Sequence, residues 1–223
     1  MTVGVLKNHS LFTFLKNLRG NSRACIYTEP LWGIPFHLYY PYVSIYMLSL
    51  GLTDSRIGLI RSIAGGVQIV TALFSGVITD KLGRRRTTLI SDILCWSLPA
   101  LLSALAQDFW YFLLAALFNS LWRISENSWT CLLVEDAEPT QLVDIYTWIY
   151  IANLLVGFIA PVTGVLIATF ELVPTMRGLY FFAAIMFALK AIITYLFTDE
   201  TTQGKVRLQE TRGESIFSIF RGY

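Results

Sequence analysis

The chain has 223 residues, of which 55% are hydrophobic and 14% charged, with a mean hydropathy of +0.57 and a formal net charge of +2. That is too apolar for an ordinary soluble domain of this length, and so small a charge supplies no electrostatic case for nucleic acid as a partner. Charged residues cluster between apolar segments instead of lining one face of each helix, so the segments are expected to cross lipid.

Crossing about 30 Å of hydrocarbon takes roughly 20 helical residues. Six segments of that size occur, at 30–51, 57–79, 88–106, 109–133, 146–170 and 178–197. Runs such as "FFAAIMFAL" do not alternate in polarity, which excludes the strands of a membrane β-barrel. The expected fold is an all-α membrane protein of six transmembrane helices over residues 30–197, flanked by polar segments 1–29 and 198–223.

The amino-terminal segment carries Lys7, Lys16, Arg19 and Arg23, and its apolar run begins too late for a cleaved signal peptide. Within it, "HSLFTFLKNLRG" reads as a short amphipathic helix on the inner leaflet. The first span, "PLWGIPFHLYYPYVSIYM", holds His37 among Tyr39, Tyr40 and Tyr42, and Pro30, Pro35 and Pro41 should bend it. His37 is a candidate for substrate binding or proton transfer near neutral pH; a hydrogen-bonded packing residue is the alternative. The tyrosines read as a cavity wall or as an interfacial belt.

The second span runs into "GVITDKLGRRRT", Gly76 to Thr87, the most charged short stretch of the chain. It is expected to form a tight cytoplasmic turn in which Gly76 and Gly83 allow close approach or unusual φ, with the arginines at head-group level. Asp80 at the carboxyl end of a helix opposes the macrodipole and so requires a specific partner. A basic turn that only fixes topology is the plainer reading of these residues.

Gly76, Asp80, Lys81, Gly83, Arg84, Arg85 and Arg86 fit the pattern G-x-x-x-D-[RK]-x-G-R-[RK]-[RK], and on that pattern the chain resembles the major facilitator superfamily. The resemblance implies two six-helix halves around a cavity that opens alternately to each side, each half an inverted pair of three-helix units. This chain would be the amino-terminal half. The resemblance further implies that the aspartate meets a helix end in the opposite half, and that the signature arginines pair with acids at the cytoplasmic end of the fourth span. Here that end reads "VEDAE", making Glu135 and Asp136 the expected partners.

Asp92 in the third span and Lys190 in the sixth lie near the cytoplasmic interface, in helices that the resemblance makes peripheral, and Lys190 is expected to snorkel. In the fourth span, "NSLWRISEN" sets Asn119, Arg123 and Glu126 or Asn127 at helical spacing on one face. Arg123 and Glu126 resemble the family's R-x-x-Q/E motif, which implies proton movement, although Asn127 replaces its following glycine. The mechanism would be a switchable ion pair: Glu126 takes a proton and frees Arg123. A pair that only stabilises the bundle is the alternative. In the fifth span, Gly157, Ala160, Pro161 and Gly164 form a small-residue packing motif. It resembles the family's antiporter signature, with Ala160 and Val165 in place of two of its glycines.

Basic residues orient the chain. With both termini in the cytoplasm, the inside holds Lys7, Lys16, Arg19, Arg23, Lys81, Arg84 to Arg86, Lys205, Arg207, Arg212 and Arg221, against Arg56, Arg61 and Arg177 outside. Cys25, Cys95 and Cys131 have no metal-ligand spacing, and neither H-E-x-x-H nor G-x-S-x-G occurs, so no metal, cofactor or enzymatic activity is expected. The tail "GESIFSIFRGY" echoes "HSLFTFLKNLRG" and is expected to lead toward a second half missing from this chain. The functional expectation is the amino-terminal half of a secondary transporter in the plasma or inner membrane, coupled to protons and acting on a small molecule by alternating access. Lipid and either the missing half or a second copy would be its partners. The alternatives are a non-transporting fragment, a receptor or assembly subunit, and a half that homodimerises to transport.

Overall fold

The structure, a computed structural model, describes residues 11–215 and Ser218; the expected tail helix therefore lies outside the described residues. Among the described residues there are twelve α-helices, joined by short 3-10 and π turns, and no strand. They are α1 (Leu11–Asn17), α2 (Gly20–Tyr39), α3 (Val43–Ser49), α4 (Asp54–Leu82), α5 (Arg84–Asp92), α6 (Leu98–Ala104), α7 (Phe109–Asn119), α8 (Trp122–Val134), α9 (Leu142–Gly157), α10 (Ala160–Phe170), α11 (Leu172–Phe197) and α12 (Thr202–Glu210). Side-chain caps open several of them. Thr53 accepts from the Arg56 amide at 3.4 Å, Asp108 from the Trp110 amide at 2.9 Å and Thr201 from the Gly204 amide at 2.9 Å.

Among the described residues, four continuous helical runs are long and apolar enough to cross a membrane: Asp54–Leu82, Arg84–Ala104, Pro139–Phe170 and Leu172–Phe197. The other two expected spans, 30–51 and 109–133, are interrupted. In the first, Pro41 lies in a 3-10 turn, Tyr40–Tyr42, between α2 and α3; proline has no amide to continue the α-helical ladder. In the second, the helix breaks after Asn119, where the Ser120 hydroxyl turns to the carbonyls of Ala64 and Ala116. α2 begins at Gly20, ten residues before the expected start of the first span, so the boundary expected at residue 30 is absent. Cys25, Ile26, Thr28 and Glu29 are buried inside the bundle.

Two apolar clusters hold the helices together. The larger gathers Tyr39, Tyr46, Phe112, Met176, Tyr180 and Phe187 from α2, α3, α7 and α11, and the Tyr46 hydroxyl donates to the Ser103 carbonyl at 3.1 Å. The smaller joins Leu18, Cys25, Ile26, Leu132, Leu133, Ile145 and Trp148, with Phe14 and Leu15 of α1 against it. The helix expected on the leaflet surface thus also packs on α9.

Burial is uneven. The apolar windows of α5–α6 and α11 are 50% and 44% buried, whereas those of α4 and α9–α10 are 11% buried. Within this chain, α5–α6 and α11 are the more interior runs, while α4 and α9–α10 present bare apolar faces. Lys190 accordingly does not snorkel; it is 5% exposed.

Candidate functional site

The charged stretch after α4 folds differently from a loop. α4 continues through Asp80 and Lys81 to Leu82, α5 opens on Arg84, and Gly83 alone separates them with φ +84°. That left-handed angle is the reason for a glycine at this position. Gly76, expected to serve close approach, lies inside α4 with open space where a Cβ would stand.

Arg84 is 4% exposed and occupies the centre of the network. Its Nε donates to both Glu135 carboxylate oxygens at 3.1 Å and its Nη2 donates to Glu135 Oε1 at 3.1 Å, while Nη1 lies 2.8 Å from Asp80 Oδ1. A planar guanidinium suits such two-sided engagement. Asp80, read as awaiting the opposite half, therefore has partners in its own chain: Arg84, and Arg207 at 3.9 Å. Arg85 donates to the Tyr195 carbonyl at 2.8 Å and stacks 4.1 Å over that ring, and Arg86 is exposed.

The segment after α11 closes over this network. Glu200 accepts from the backbone amides of Arg84 at 2.9 Å and Arg85 at 3.2 Å, placing a carboxylate on the amino terminus of α5 where glycine supplies no cap. The Thr201 hydroxyl donates to Glu135, and the Thr202 amide to Asp136 at 3.0 Å. Lys81 reaches the Glu214 carbonyl at 2.6 Å. Sequence reasoning missed Glu200 because its partners are main-chain amides more than a hundred residues away.

Farther along the bundle, a cavity of about 480 Å³ opens between α2, the α5–α6 region, α8 and α11. Its charged wall is Glu29, Asp92, Glu126 and Lys190, and its aromatic wall includes Trp32, Phe36, Trp96, Trp122 and Trp129. Lys190 Nζ donates to Asp92 Oδ2 at 2.7 Å, and the Ser125 hydroxyl donates to the other oxygen of Asp92. Both partners are almost wholly buried, at 6% and 1% side-chain exposure. Glu29 is 9% exposed and lines the same cavity as Lys190. An ion pair in a low-dielectric interior must be well satisfied to persist, and here Ser125 and the Trp129 ring, 5.5 Å from Lys190, complete the shell.

The expected stripe in the fourth span is divided. Asn119 ends α7 and donates to the Cys95 carbonyl at 2.8 Å; Asn127 on α8 donates to Thr79 at 3.1 Å. Arg123 and Glu126 pair at 2.6 Å with side chains 43% and 48% exposed, so this chain does not bury the pair. With the Gln68 amide oxygen turned toward α8, it accepts from Arg123 Nε at 3.2 Å and Trp122 Nε1 at 3.1 Å. Asn119 and Glu126 reach the cavity wall; His37 does not, its Nδ1 lying 2.8 Å from the Gly33 carbonyl. The helix-five motif straddles a break, with Gly157 ending α9 and Ala160 and Pro161 opening α10. A Cβ on Gly157 would meet His37, and one on Gly164 would meet the Tyr42 hydroxyl at 3.2 Å, so the motif packs on α2 and the turn that follows it. Among the described residues, no group of three His, Cys, Asp or Glu side chains is placed to hold a metal ion.

A sequence model of the Major Facilitator Superfamily matches residues 33–222. The uncharacterized MFS-type transporter YqjV of Bacillus subtilis (strain 168) is 28% identical over 126 residues, which are 56% of this chain and 30% of that protein. The chain thus spans less than a third of the relative it matches. The family match begins inside α2, takes in the Arg84 network and extends past α12, and on that breadth the chain, a multi-pass membrane protein, belongs to the major facilitator superfamily.

Proposed function

We propose that the chain works as the amino-terminal six-helix half of a secondary active transporter, in which the Asp80–Arg84–Glu135 network is a latch at the cytoplasmic face. The interrupted runs α2–α3 and α7–α8 count as the first and fourth spans in this reading. The observation that carries it is one buried guanidinium tying together the ends of α4, α5 and α8, with the segment after α11 clamped over it. Such a network has two stable arrangements, made and broken, which suits a rocking motion in alternating access. The bare apolar faces of α4 and α9–α10 support a partner half, and the share of YqjV that is matched is in keeping with one.

The substrate is a small molecule in this reading, and proton coupling passes through Glu126, which exchanges Arg123 for a proton as the cavity reorients. Both termini are cytoplasmic and the membrane is the plasma or inner membrane, following the basic residues. The test is pH-gradient-driven flux in vesicles by the whole encoding reading frame, with the 223-residue chain alone as comparison. Flux by the whole frame, abolished by Arg84→Ala and absent from the chain alone, is expected. Strong flux by the purified chain as a dimer would replace the missing half with a second copy. Unchanged flux in Arg84→Ala would overturn the latch.

A further inference from the structure

We propose that the cavity between α2, α5–α6, α8 and α11 binds a lipophilic organic monocation with aromatic surface, Glu29 supplying the countercharge. The inference rests on the transporter reading for its biological sense, but its physical basis is the charge balance of the wall. Three carboxylates face the cavity: Glu29, Asp92 and Glu126. Asp92 is matched by Lys190 at 2.7 Å and Glu126 by Arg123 at 2.6 Å. Among the described residues Glu29 forms no ion pair, so with every group charged the cluster carries one negative charge too many. An anion entering would add to that excess, whereas a monovalent cation removes it.

Depth favours an organic cation over a hydrated one. Glu29 lies nine residues into α2, Asp92 eight into the run from Arg84, and Lys190 seven before the end of α11. At 1.5 Å per residue all three lie about 10–14 Å inside the helix ends, in a single layer. A hard inorganic cation needs a shell of six or more oxygens, and this wall presents mainly rings. Trp32 stacks on Phe36 at 4.7 Å and meets Trp96 edge-on at 5.1 Å. The wall already holds one ammonium against an aromatic face, Lys190 over Trp129. A volume of about 480 Å³ admits a drug-sized molecule, and the buried indole N–H groups of Trp32 and Trp129, which have no hydrogen-bond partner, would donate to an ether or carbonyl oxygen on it.

Tetraphenylphosphonium and tetraphenylborate share one shape and carry opposite charges, so together they isolate the charge. The experiment is equilibrium binding of both to the purified chain in nanodiscs, corrected with empty discs. Four of the six tryptophans, Trp32, Trp96, Trp122 and Trp129, line the cavity, so a change in their fluorescence reports binding there. Saturable binding of the phosphonium with a fluorescence change is expected, and none of the borate. Glu29→Gln should weaken phosphonium binding at least about tenfold, whereas Glu29→Asp should retain it. If Glu29→Gln does not fold, Trp129→Phe should weaken binding several-fold, and the two-ion comparison on the unaltered chain needs no variant. Equal binding of the two ions, no saturable binding, or phosphonium affinity unchanged in folded Glu29→Gln would overturn the proposal. Phosphonium binding without flux in the whole reading frame would refute transport and leave the cation site standing; flux of other solutes without phosphonium binding would do the reverse.

Discussion

Arg84 and Glu135 approach from opposite ends of α5 and α8 to form a bidentate pair at 3.1 Å, and Asp80 closes the other side of the guanidinium at 2.8 Å. Removing the arginine leaves two carboxylates facing each other in a site that is nearly dry. The loss of one partner from a buried pair costs about 3–5 kcal/mol. Arg84→Ala should therefore lower the melting temperature of the detergent-solubilised chain well beyond the effect of Arg86→Ala, which alters an exposed side chain. Arg84→Lys should fall between, because an ammonium cannot engage both acids in a planar fork. Equal melting of Arg84→Ala and the native chain would refute a buried latch.

Gly83 carries a separate prediction. Its φ of +84° strains any side chain, and a Cβ there would meet Glu200 Oε2 at 2.5 Å, displacing the carboxylate that caps α5. The segment after α11 is held largely by Glu200, Thr201 and Thr202. Gly83→Ala should release it and speed tryptic cleavage at Lys205, Arg207 and Arg212. Gly66→Ala, where a Cβ meets nothing within 4 Å, is the control and should cleave at the native rate.

The Lys190–Asp92 pair predicts non-additivity. Lys190→Met alone leaves Asp92 without its cation, and Asp92→Asn alone leaves Lys190 without its anion at 5% exposure. Each single change should destabilise the chain by more than the double change, since an uncompensated buried charge costs more than a neutral pair. Melting curves of the four variants provide the cycle. A double variant as unstable as the sum of the singles would mean that the two residues do not act as a pair.

What was legible in the sequence follows from how each feature is encoded. The Arg84 network could be read because Gly76 to Arg86 is contiguous and its spacing matches a family pattern, which also directed attention to Glu135. Glu200 could not, because it binds main-chain amides and leaves no complementary side chain to find. Lys190 and Asp92 are 98 positions apart, and each is a single charge in an apolar helix, so hydropathy alone assigned them to the interface. Glu29 was lost to a boundary drawn at Pro30. Proline in the first turns of a helix and proline within one look alike in sequence, and here α2 runs through both Pro30 and Pro35. The fourth span reads as continuous because nothing in "FNSLWR" breaks a helix; the interruption comes from Ser120 reaching the Ala64 carbonyl on α4, a tertiary contact.

Arg123 and Glu126 offer the sharpest separation of stability from function. Their pair is short, at 2.6 Å, but both side chains are nearly half exposed and Arg123 also lies over the Trp122 ring at 3.9 Å. Exposed ion pairs contribute about 0–1 kcal/mol, so Glu126→Gln should melt close to the native chain. If Glu126 carries the coupling proton, the same variant should lose pH-driven accumulation in the whole reading frame while still exchanging substrate down its own gradient. On the same condition Arg123→Ala should weaken both modes, because the proposed exchange at Glu126 needs the guanidinium as the group that is released. Normal accumulation in both variants would remove the pair from the coupling mechanism; collapse of the fold in Glu126→Gln would make it a structural pair despite its exposure.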